Sequence, residues 1–364
     1  MKAKSKQRKA TQELLHELSE SFGVSGFEEE VRERIRSRVS PLVDEIQVDP
    51  MGNLHAVLNT SASFTLMLDA HMDEVGFVVR DIEDGGFLRL APIGGWDVRV
   101  MPGQTILIRG SAGERYLGVV GTVPPHIQEG NERKQAFEWK DLFVDVGAAA
   151  PADISRMEIR IGSPALLPQH FTALAGGTLM GKALDNRTGC AVLIRVLEAL
   201  SQERPDDVRI VGTFSTAEEV GSRGANVAAR SWKPHMAIIL EGTLATDTPG
   251  VRSDQKVSSM GKGPALTAVD RSLIVPQVLL EQIIALADGL KIPWQIKTPL
   301  VGSTDGGVIQ KSAQGVITGV VSVPCRYIHS PCCLVALEDI MHTATLVENL
   351  ARAAREIYNK TIGV

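Results

Sequence analysis

The chain has 364 residues, and 44% of them are hydrophobic, which is enough apolar material for a large core and argues against disorder. Its formal net charge is -5, so it offers no general positive surface for nucleic acid or anionic lipid. No apolar run is long enough to span a bilayer, and we expect neither nucleic acid nor a membrane as a partner.

The first part of the chain is predicted to be helical. Residues 10–39 contain apolar residues at helical spacing, and Ser25 followed by acidic and then arginine residues predicts a helix start there. Pro41 helps to end this helix. The basic segment 1–10 is interpreted as a solvated tail, because the polar residues that follow it do not resemble the apolar part of a signal peptide.

A strand comes next and ends in a possible metal ligand. The segment LDAHMDEVGF, residues 68–77, completes an apolar run and carries His71 and Asp73. Ligands of open α/β sheets gather at the carboxyl ends of the strands. His71 could therefore bind a metal ion while Asp73 orients its imidazole ring.

The sequence pattern changes after residue 76. Residues 77 to about 170 form short β segments separated by Gly and Pro, with a hairpin-type turn at residues 83–86. We predict a separate β-rich domain at 76–174, inserted into an α/β domain that consists of residues 1–75 and 175–364.

Further acids and a second histidine follow apolar segments in the rest of the chain. Asp185 stands near the start of a helix that has apolar residues from Val192 to Leu200. The segment 208–225 is predicted to be a buried strand followed by Glu218 and Glu219. The next apolar strand ends in Glu241, and a last strand ends at His329. If these strands are neighbours, their polar side chains meet at one edge.

Two imidazoles and three carboxylates suit a pair of borderline divalent ions, with Zn²⁺ or Co²⁺ favoured and Mn²⁺ permitted. A carboxylate has two oxygens and can bridge such a pair, which can also hold a bridging water. A further acid must stay unligated to take the proton of that water, and the adjacent residues Glu218 and Glu219 are both candidates for this general base.

Six motifs in order resemble those of the glutamyl aminopeptidase and tetrahedral (TET) aminopeptidase family of dinuclear metallopeptidases. They are AHMDEVGF, KALDNRTG, AEEVGSRGA, EGT followed by DTPG, STDGG and RYIHSP. The resemblance covers nearly the whole chain. It implies an α/β catalytic domain of zinc-peptidase type, with a mixed sheet flanked by helices and an inserted β-barrel, PDZ-like dimerisation domain.

The resemblance also implies residue roles. One ion would be held by His71, Asp185 and Glu241, and the other by Asp185, Glu219 and His329. Glu218 would be the general base, Asp73 would orient His71, and Asp305 would support the site. Many members of the family have Asp in place of Glu241, and Val-Glu in place of Cys332-Cys333, so these positions depart from the pattern.

The predicted function is that of a metal-dependent aminopeptidase, which releases N-terminal amino acids from peptides by means of a metal-activated water. The resemblance implies homodimers that build a homododecamer, whose chamber would admit peptides rather than folded proteins.

A deacylase or carboxypeptidase-type amidohydrolase is an alternative, with Arg187 or Arg326 as the group that recognises a carboxylate. A catalytically inactive assembly protein is a third. Four cysteines without a disulfide framework favour the cytoplasm.

Overall fold

The computed structural model describes residues 2–127 and 137–364. Within these ranges the helices are α1 Lys2–Glu20, α2 Glu29–Val39, α3 Pro151–Arg156, α4 Leu184–Gln202, α5 Arg223–Trp232, α6 Gln277–Gly289, α7 Gly306–Ile309, α8 Leu337–Arg352 and α9 Ala354–Ile362. The strands are β1 Glu45–Val48, β2 Leu54–Leu58, β3 Phe64–His71, β4 Gly76–Ile82, β5 Leu88–Ile93, β6 Thr105–Arg109, β7 Arg115–Gly121, β8 Phe143–Asp145, β9 Pro164–Leu166, β10 Thr172–Ala173, β11 Thr178–Gly181, β12 Val208–Ser215, β13 Met236–Leu244, β14 Ala265–Leu266, β15 Gln295–Ile296, β16 Ile317–Arg326 and β17 Cys333–Ala336.

A large mixed sheet forms the frame of the molecule. Its main path runs β1-β2-β12-β3-β13-β16-β17-β11-β10, with β14 and β15 attached beside β16. The four central strands β12, β3, β13 and β16 are parallel to one another. Every residue of β3 is buried, which is the expected pattern for a parallel strand covered by helices on both faces.

The strand register brings the predicted site residues to the same edge. His71, the last residue of β3, lies opposite Ser215, the last residue of β12. Glu241 of β13 lies opposite Ser322 of the neighbouring strand β16. Because parallel strands end at a common edge, the segments that follow β12 and β16 begin close to His71.

Helices cover this sheet, and α4 packs against its central strands and against α1, α2 and α8. The apolar positions predicted for α4, including Val192, Val196 and Leu200, are fully buried. On the other side of the molecule, α5 and α7 pack against each other and against the central strands. The sequence pattern thus predicted the face of α4 that enters the core.

Strands β4 to β9 form a separate closed barrel, in the order β4-β5-β8-β7-β6-β9, within the described residues. Its interior contains alternating side chains from these strands, such as Phe77, Val79, Ile106 and Ile108. The neighbouring strand pairs of the barrel are antiparallel. The predicted fold class, a mixed sheet flanked by helices with an additional β-barrel, is confirmed.

Several local predictions were wrong. The basic segment is not a separate tail, because α1 already begins at Lys2. The second helix begins at Glu29 rather than near Ser25, whose hydroxyl donates a hydrogen bond to Asp73 instead. Strand β13 continues three residues beyond Glu241, since one of its edges remains paired with β16.

The end of β16 also differs from the prediction. The strand stops at Arg326, so His329 lies in the turn that follows, and β17 rather than β16 is the last strand. Cys333 is buried and begins β17, while Cys332 is exposed. Among the described residues, no helix combines the length and the apolarity that a membrane span requires.

Candidate metal centre

The structure brings the five predicted ligands together in two overlapping groups. One group contains His71, Asp185 and Glu241, and the other contains Asp185, Glu219 and His329. In each group, one ligand atom from every residue lies within 4.8 Å of the others. Spacing of this kind allows three side chains to contact one ion.

Asp185 lies between the two groups and presents one oxygen to each imidazole. Its Oδ1 is 3.7 Å from Nε2 of His71, and its Oδ2 is 3.8 Å from Nε2 of His329. Glu241 completes the first group with an oxygen 3.5 Å from Nε2 of His71. Glu219 completes the second with an oxygen 3.2 Å from Nε2 of His329. This arrangement is suited to a bridging carboxylate.

Gly242 leaves the space that Asp185 occupies. A Cβ atom at this position would lie 2.8 Å from Oδ1 of Asp185 and 3.1 Å from its Cα. Real Cβ atoms essentially never approach another heavy atom to less than 3.0 Å, and Cα is backbone that cannot turn aside as a side chain can. The glycine that follows Glu241 is therefore required by the close approach of β13 to the start of α4.

Asp73 connects several parts of the site. Its carboxylate accepts hydrogen bonds from the backbone N–H of Glu218 (3.0 Å), from that of Glu219 (3.2 Å) and from the hydroxyl of Ser25 (2.6 Å). Its Oδ1 also lies 3.3 Å from Nδ1 of His71, although this contact is not well aligned for a hydrogen bond. Burial raises the pKa of Asp73, but the contacts with His71 and these donors outweigh it, and the net pKa is lowered.

The three glutamates of the centre have raised pKa values. Burial raises the pKa of Glu218 well above its ordinary value, raises that of Glu219, and raises that of Glu241 to about 7. Burial lowers the pKa of His329, but the Glu219 carboxylate outweighs it, and the net pKa is about 9. Crowded carboxylates of this kind favour the presence of compensating cations.

The ligand groups also contain buried oxygens with unused bonding capacity. Oδ1 of Asp185 and Oε1 of Glu219 have no hydrogen-bond partner among the described residues. Buried polar atoms are usually satisfied, so such oxygens call for a partner. The donor set of imidazole and carboxylate groups therefore fits divalent cations.

Asp305, predicted as a supporting residue, is fully buried beneath the centre. It accepts a hydrogen bond of 2.8 Å from the hydroxyl of Ser215, the residue opposite His71. The same hydroxyl lies 3.3 Å from Asp69, two residues before His71. Sequence reasoning did not single out Asp69, because a lone acid within an apolar strand gives no local sign of its partner on another segment.

Neither arginine proposed for carboxylate recognition is free to perform that role. Arg187 is fully buried, donates to the carbonyl oxygen of Leu18 at 2.5 Å, and lies 3.2 Å from Glu74. Arg326 forms a two-point ion pair with Asp247, at 2.7 and 2.8 Å. These cations are thus engaged by internal partners.

The two unusual cysteines lie outside the ligand groups. The Cys332 thiol contacts the side chain of Gln169 at 3.2 Å, and the Cys333 thiol is 3.3 Å from the carbonyl oxygen of Tyr327. Cys333 therefore supports the turn that carries His329.

A cavity of about 390 Å³ opens above the centre. Besides the predicted ligands, its lining includes residues that the sequence analysis did not single out, namely Ser222, Thr243, Leu244, Lys297, Val301, Gly302, Ser303, Thr304 and Ile328. They come from four separate segments. Ser222, Thr243, Ser303, Thr304 and Ile328 lie within the motifs named above, whereas Leu244, Lys297, Val301 and Gly302 lie outside them. The cavity is large enough for a small part of a peptide.

Comparison with known proteins identifies the relatives of this chain. The profile of the M42 glutamyl aminopeptidase family matches residues 52–346. The chain belongs to this family. It is 33% identical to the lysyl aminopeptidase of Pyrococcus furiosus over 341 residues, which cover 93% of this chain and 96% of the relative.

Solved structures of M42 relatives agree in fold over almost their whole length. A TET aminopeptidase from a marine sediment archaeon, Thaumarchaeota archaeon, has a TM-score of 0.93 and 34% identity, covering 97% of this chain and 99% of its own. The TET1 peptidase of Pyrococcus horikoshii, which can assemble into a tetrahedron or a large octahedral shell, has a TM-score of 0.83 and 30% identity, covering 94% and 99%. The predicted resemblance is confirmed, and this M42 chain is an aminopeptidase, a peptide hydrolase of a family that uses divalent metal ions.

Proposed function

We propose that this M42 aminopeptidase uses a centre of two divalent ions to remove the N-terminal residue of peptides. The observation that carries the proposal is the position of Asp185, whose two oxygens face two different imidazoles at 3.7 and 3.8 Å. His71 and Glu241 would complete one ion site, and Glu219 and His329 the other. Imidazole and carboxylate ligands suit Zn²⁺ or Co²⁺, with Mn²⁺ as a further possibility.

The ions, when bound, would supply Lewis acidity that polarises the scissile carbonyl and acidifies water. Glu218 would act as the general base, taking a proton from the attacking water and passing it to the leaving amine. Burial raises the pKa of Glu218, and the positive charge of the ions would lower it again when they are bound. Asp73 would hold Glu218 in place through the backbone and would orient His71.

The substitution Glu218→Gln tests this assignment. The amide keeps the shape of the side chain but cannot accept a proton, so we expect kcat to fall by roughly 10²- to 10⁴-fold. The metal content of the variant should stay at two ions per chain, measured by atomic emission after gel filtration. A variant with near-normal kcat would show that another group is the base.

The nature of the substrate is tested with a panel of aminoacyl anilides and their N-acetylated counterparts. Metal-dependent release from the free-amine compounds alone supports an aminopeptidase mechanism. Cleavage of only the blocked compounds would instead support the deacylase alternative. Arg187 and Arg326 are held in internal ion pairs, so neither supplies the carboxylate-binding cation that the deacylase alternative assigned to them.

We also propose that residues 76–174 form a dimerisation domain and that homodimers build a homododecamer in the cytoplasm. The tetrahedral assembly of the Pyrococcus horikoshii relative supports this proposal. Exposed apolar side chains on β7 of the barrel, Leu117 and Val119, are suited to burial against another subunit. Light scattering coupled to gel filtration would measure the mass, and a monomer at micromolar concentration would contradict the proposal.

A further inference from the structure

Two cations and one carboxylate meet in the buried region next to Asp185. Glu74 follows Asp73 after the end of β3, and Lys182 and Arg187 stand three residues before and two residues after Asp185. The Glu74 carboxylate accepts hydrogen bonds from Nζ of Lys182 at 2.7 and 2.9 Å, and from Nη2 of Arg187 at 3.2 Å. One carboxylate thus holds the chain on both sides of Asp185, and we call Glu74, Lys182 and Arg187 the clamp.

The clamp is also tied to the end of α1. Nζ of Lys182 donates to the carbonyl oxygen of Ser21 at 2.8 Å, and the carbonyl oxygen of Lys182 accepts from the hydroxyl of Ser19 at 2.7 Å. Nη1 of Arg187 donates to the carbonyl oxygen of Leu18 at 2.5 Å. Both cations are at most 5% exposed, so these contacts are shielded from water. The contacts therefore fix segment 182–187 against α1 as well as against β3.

The backbone at Asp185 departs from the regular helix. Asp185 and Asn186 have non-helical φ and ψ angles, although α4 begins at Leu184. The side chain of Asn186 donates to the carbonyl oxygen of Leu240 at 2.8 Å. Oδ1 of Asp185 has no hydrogen-bond partner among the described residues. The orientation of the Asp185 carboxylate therefore depends on the neighbours that hold this segment.

The clamp lies directly behind the candidate metal centre. A small cavity of about 20 Å³ is lined by Glu74 and Lys182 of the clamp and by the predicted ligands Asp185 and His329. Gly23 accepts a hydrogen bond of 2.9 Å from the backbone N–H of Glu74 and also leaves space for the guanidinium of the clamp, with which a Cβ atom at this position would collide. The packing around the clamp thus allows little displacement of its side chains.

We propose that the clamp positions the bridging carboxylate of Asp185 and thereby sets the affinity of both ion sites. The inference rests on the proposed centre of two ions. The clamp residues belong to neither ligand group, so they act on the ions through segment 182–187. Asp185 presents one oxygen to each imidazole, and a shift of its segment should therefore weaken the binding of both ions together.

The substitution Lys182→Met is the first test. It removes one cation and leaves Glu74 paired with Arg187, so the charges that remain in the clamp balance. We expect the affinity for both ions to fall by about 10- to 100-fold, the usual effect of losing a residue that orients a metal ligand. Competition of the metal-free protein with a chromogenic chelator for Zn²⁺ measures both affinities. The d–d absorption of the Co²⁺-loaded variant should also differ from that of the wild type, because this spectrum reports the geometry of the ligands.

The substitution Glu74→Gln is the second test, and it removes the shared carboxylate itself. It leaves two buried cations without a negative partner, so it should also lower Tm. We again expect weaker binding of both ions. In the double variant with Lys182→Met, the loss of affinity should be smaller than the product of the two single losses, because both substitutions release the same segment.

Leu200→Ala is the matched control for loss of stability. Leu200 is fully buried in α4, the helix that carries Asp185, and it lies roughly 20 Å farther along the axis. Truncation of a buried leucine lowers stability substantially. This variant should nevertheless bind both ions with wild-type affinity as long as circular dichroism shows it to be folded.

The other outcomes overturn the inference in distinguishable ways. Unchanged affinity in both Lys182→Met and Glu74→Gln would show that the clamp only stabilises the fold. An equal loss of affinity in Leu200→Ala would assign the effect to general destabilisation. Weaker binding of one ion alone would show that the clamp acts on a ligand other than Asp185. A wild-type protein that binds fewer than two ions would overturn the proposed centre together with the inference.

Discussion

Glu28 provides a test of the electrostatics next to the centre. It is 4% exposed and lies just before α2, where one oxygen, Oε1, accepts hydrogen bonds from the N–H groups of Gly26 (2.8 Å) and Ala217 (3.2 Å). Ala217 immediately precedes Glu218. Burial, helped by the negative charge of Asp73, raises the pKa of Glu28 from 4.5 to about 7.

The raised pKa makes stability depend on pH in a defined direction. Between pH 4.5 and 7 the folded protein keeps the Glu28 proton while the unfolded chain loses it, so the folded state binds more protons. The free energy of unfolding therefore falls as the pH rises through this window. The difference of about 2.5 in pKa corresponds to roughly 3 kcal/mol, which is fully lost above pH 7.

The substitution Glu28→Gln removes this dependence. A glutamine oxygen can accept both N–H bonds, because both go to the same atom in the wild type, and the amide carries no charge at any pH. We expect the free energy of unfolding of the variant, relative to that of the wild type, to increase by about 2–3 kcal/mol as the pH rises from 5 to 8.

Urea unfolding of the metal-loaded protein at several pH values measures this difference. Glu29→Gln, at the exposed neighbouring position, controls for the loss of one carboxylate from the same segment. If the difference between Glu28→Gln and the wild type is the same at pH 5 and pH 8, Glu28 is already ionised in the folded protein, and the reasoning from burial is wrong.

Three further predictions concern the centre itself. Asp73→Asn should weaken metal affinity by about 10- to 100-fold in competition with a chromogenic chelator, because the amide has one acceptor oxygen instead of two and no negative charge beside His71; unchanged affinity would contradict this. Gly242→Ala should lose bound metal by atomic emission, since its Cβ would collide with Asp185, whereas Gly289→Ala, with open space at the Cβ, should keep it. Removing the metal with a chelator should abolish turnover and lower Tm, and Zn²⁺ or Co²⁺ should restore both; a Tm indifferent to metal would argue against a bound ion.

The convergence of the site could be predicted because it depends on strand order at one edge. Apolar runs that end in His71, near Glu218 and near Glu241 are visible in the sequence, and parallel strands deliver such residues to a common place. The exact ends of strands were less predictable. Glu241 lies within β13 rather than at its end, because pairing with β16 continues for three more residues.

The rest of the cavity could not be predicted, because its lining joins distant segments, and the motifs among them do not show which residues face the cavity. Lys297 follows a strand of only two residues, and only the fold places it in the lining of the cavity. The requirement for Gly242 likewise depends on the position of Asp185, 57 residues earlier in the chain. Similarly, the hydroxyl of Ser25 was interpreted as a helix start, although it donates to Asp73 across the site.

The segments that deliver the ligands share an unusual backbone conformation. Ala183, Ala217 and His329 are not glycines, yet their φ angles are +54°, +54° and +55°. Each such residue costs about 1 kcal/mol or more, and the three lie within two residues of, or at, a predicted ligand or base. The fold tolerates this cost because these turns direct the neighbouring ligand side chains toward one point. The turns fix the positions of the ligands, and the bound ions would in turn stabilise the folded chain. Metal binding and folding are therefore coupled.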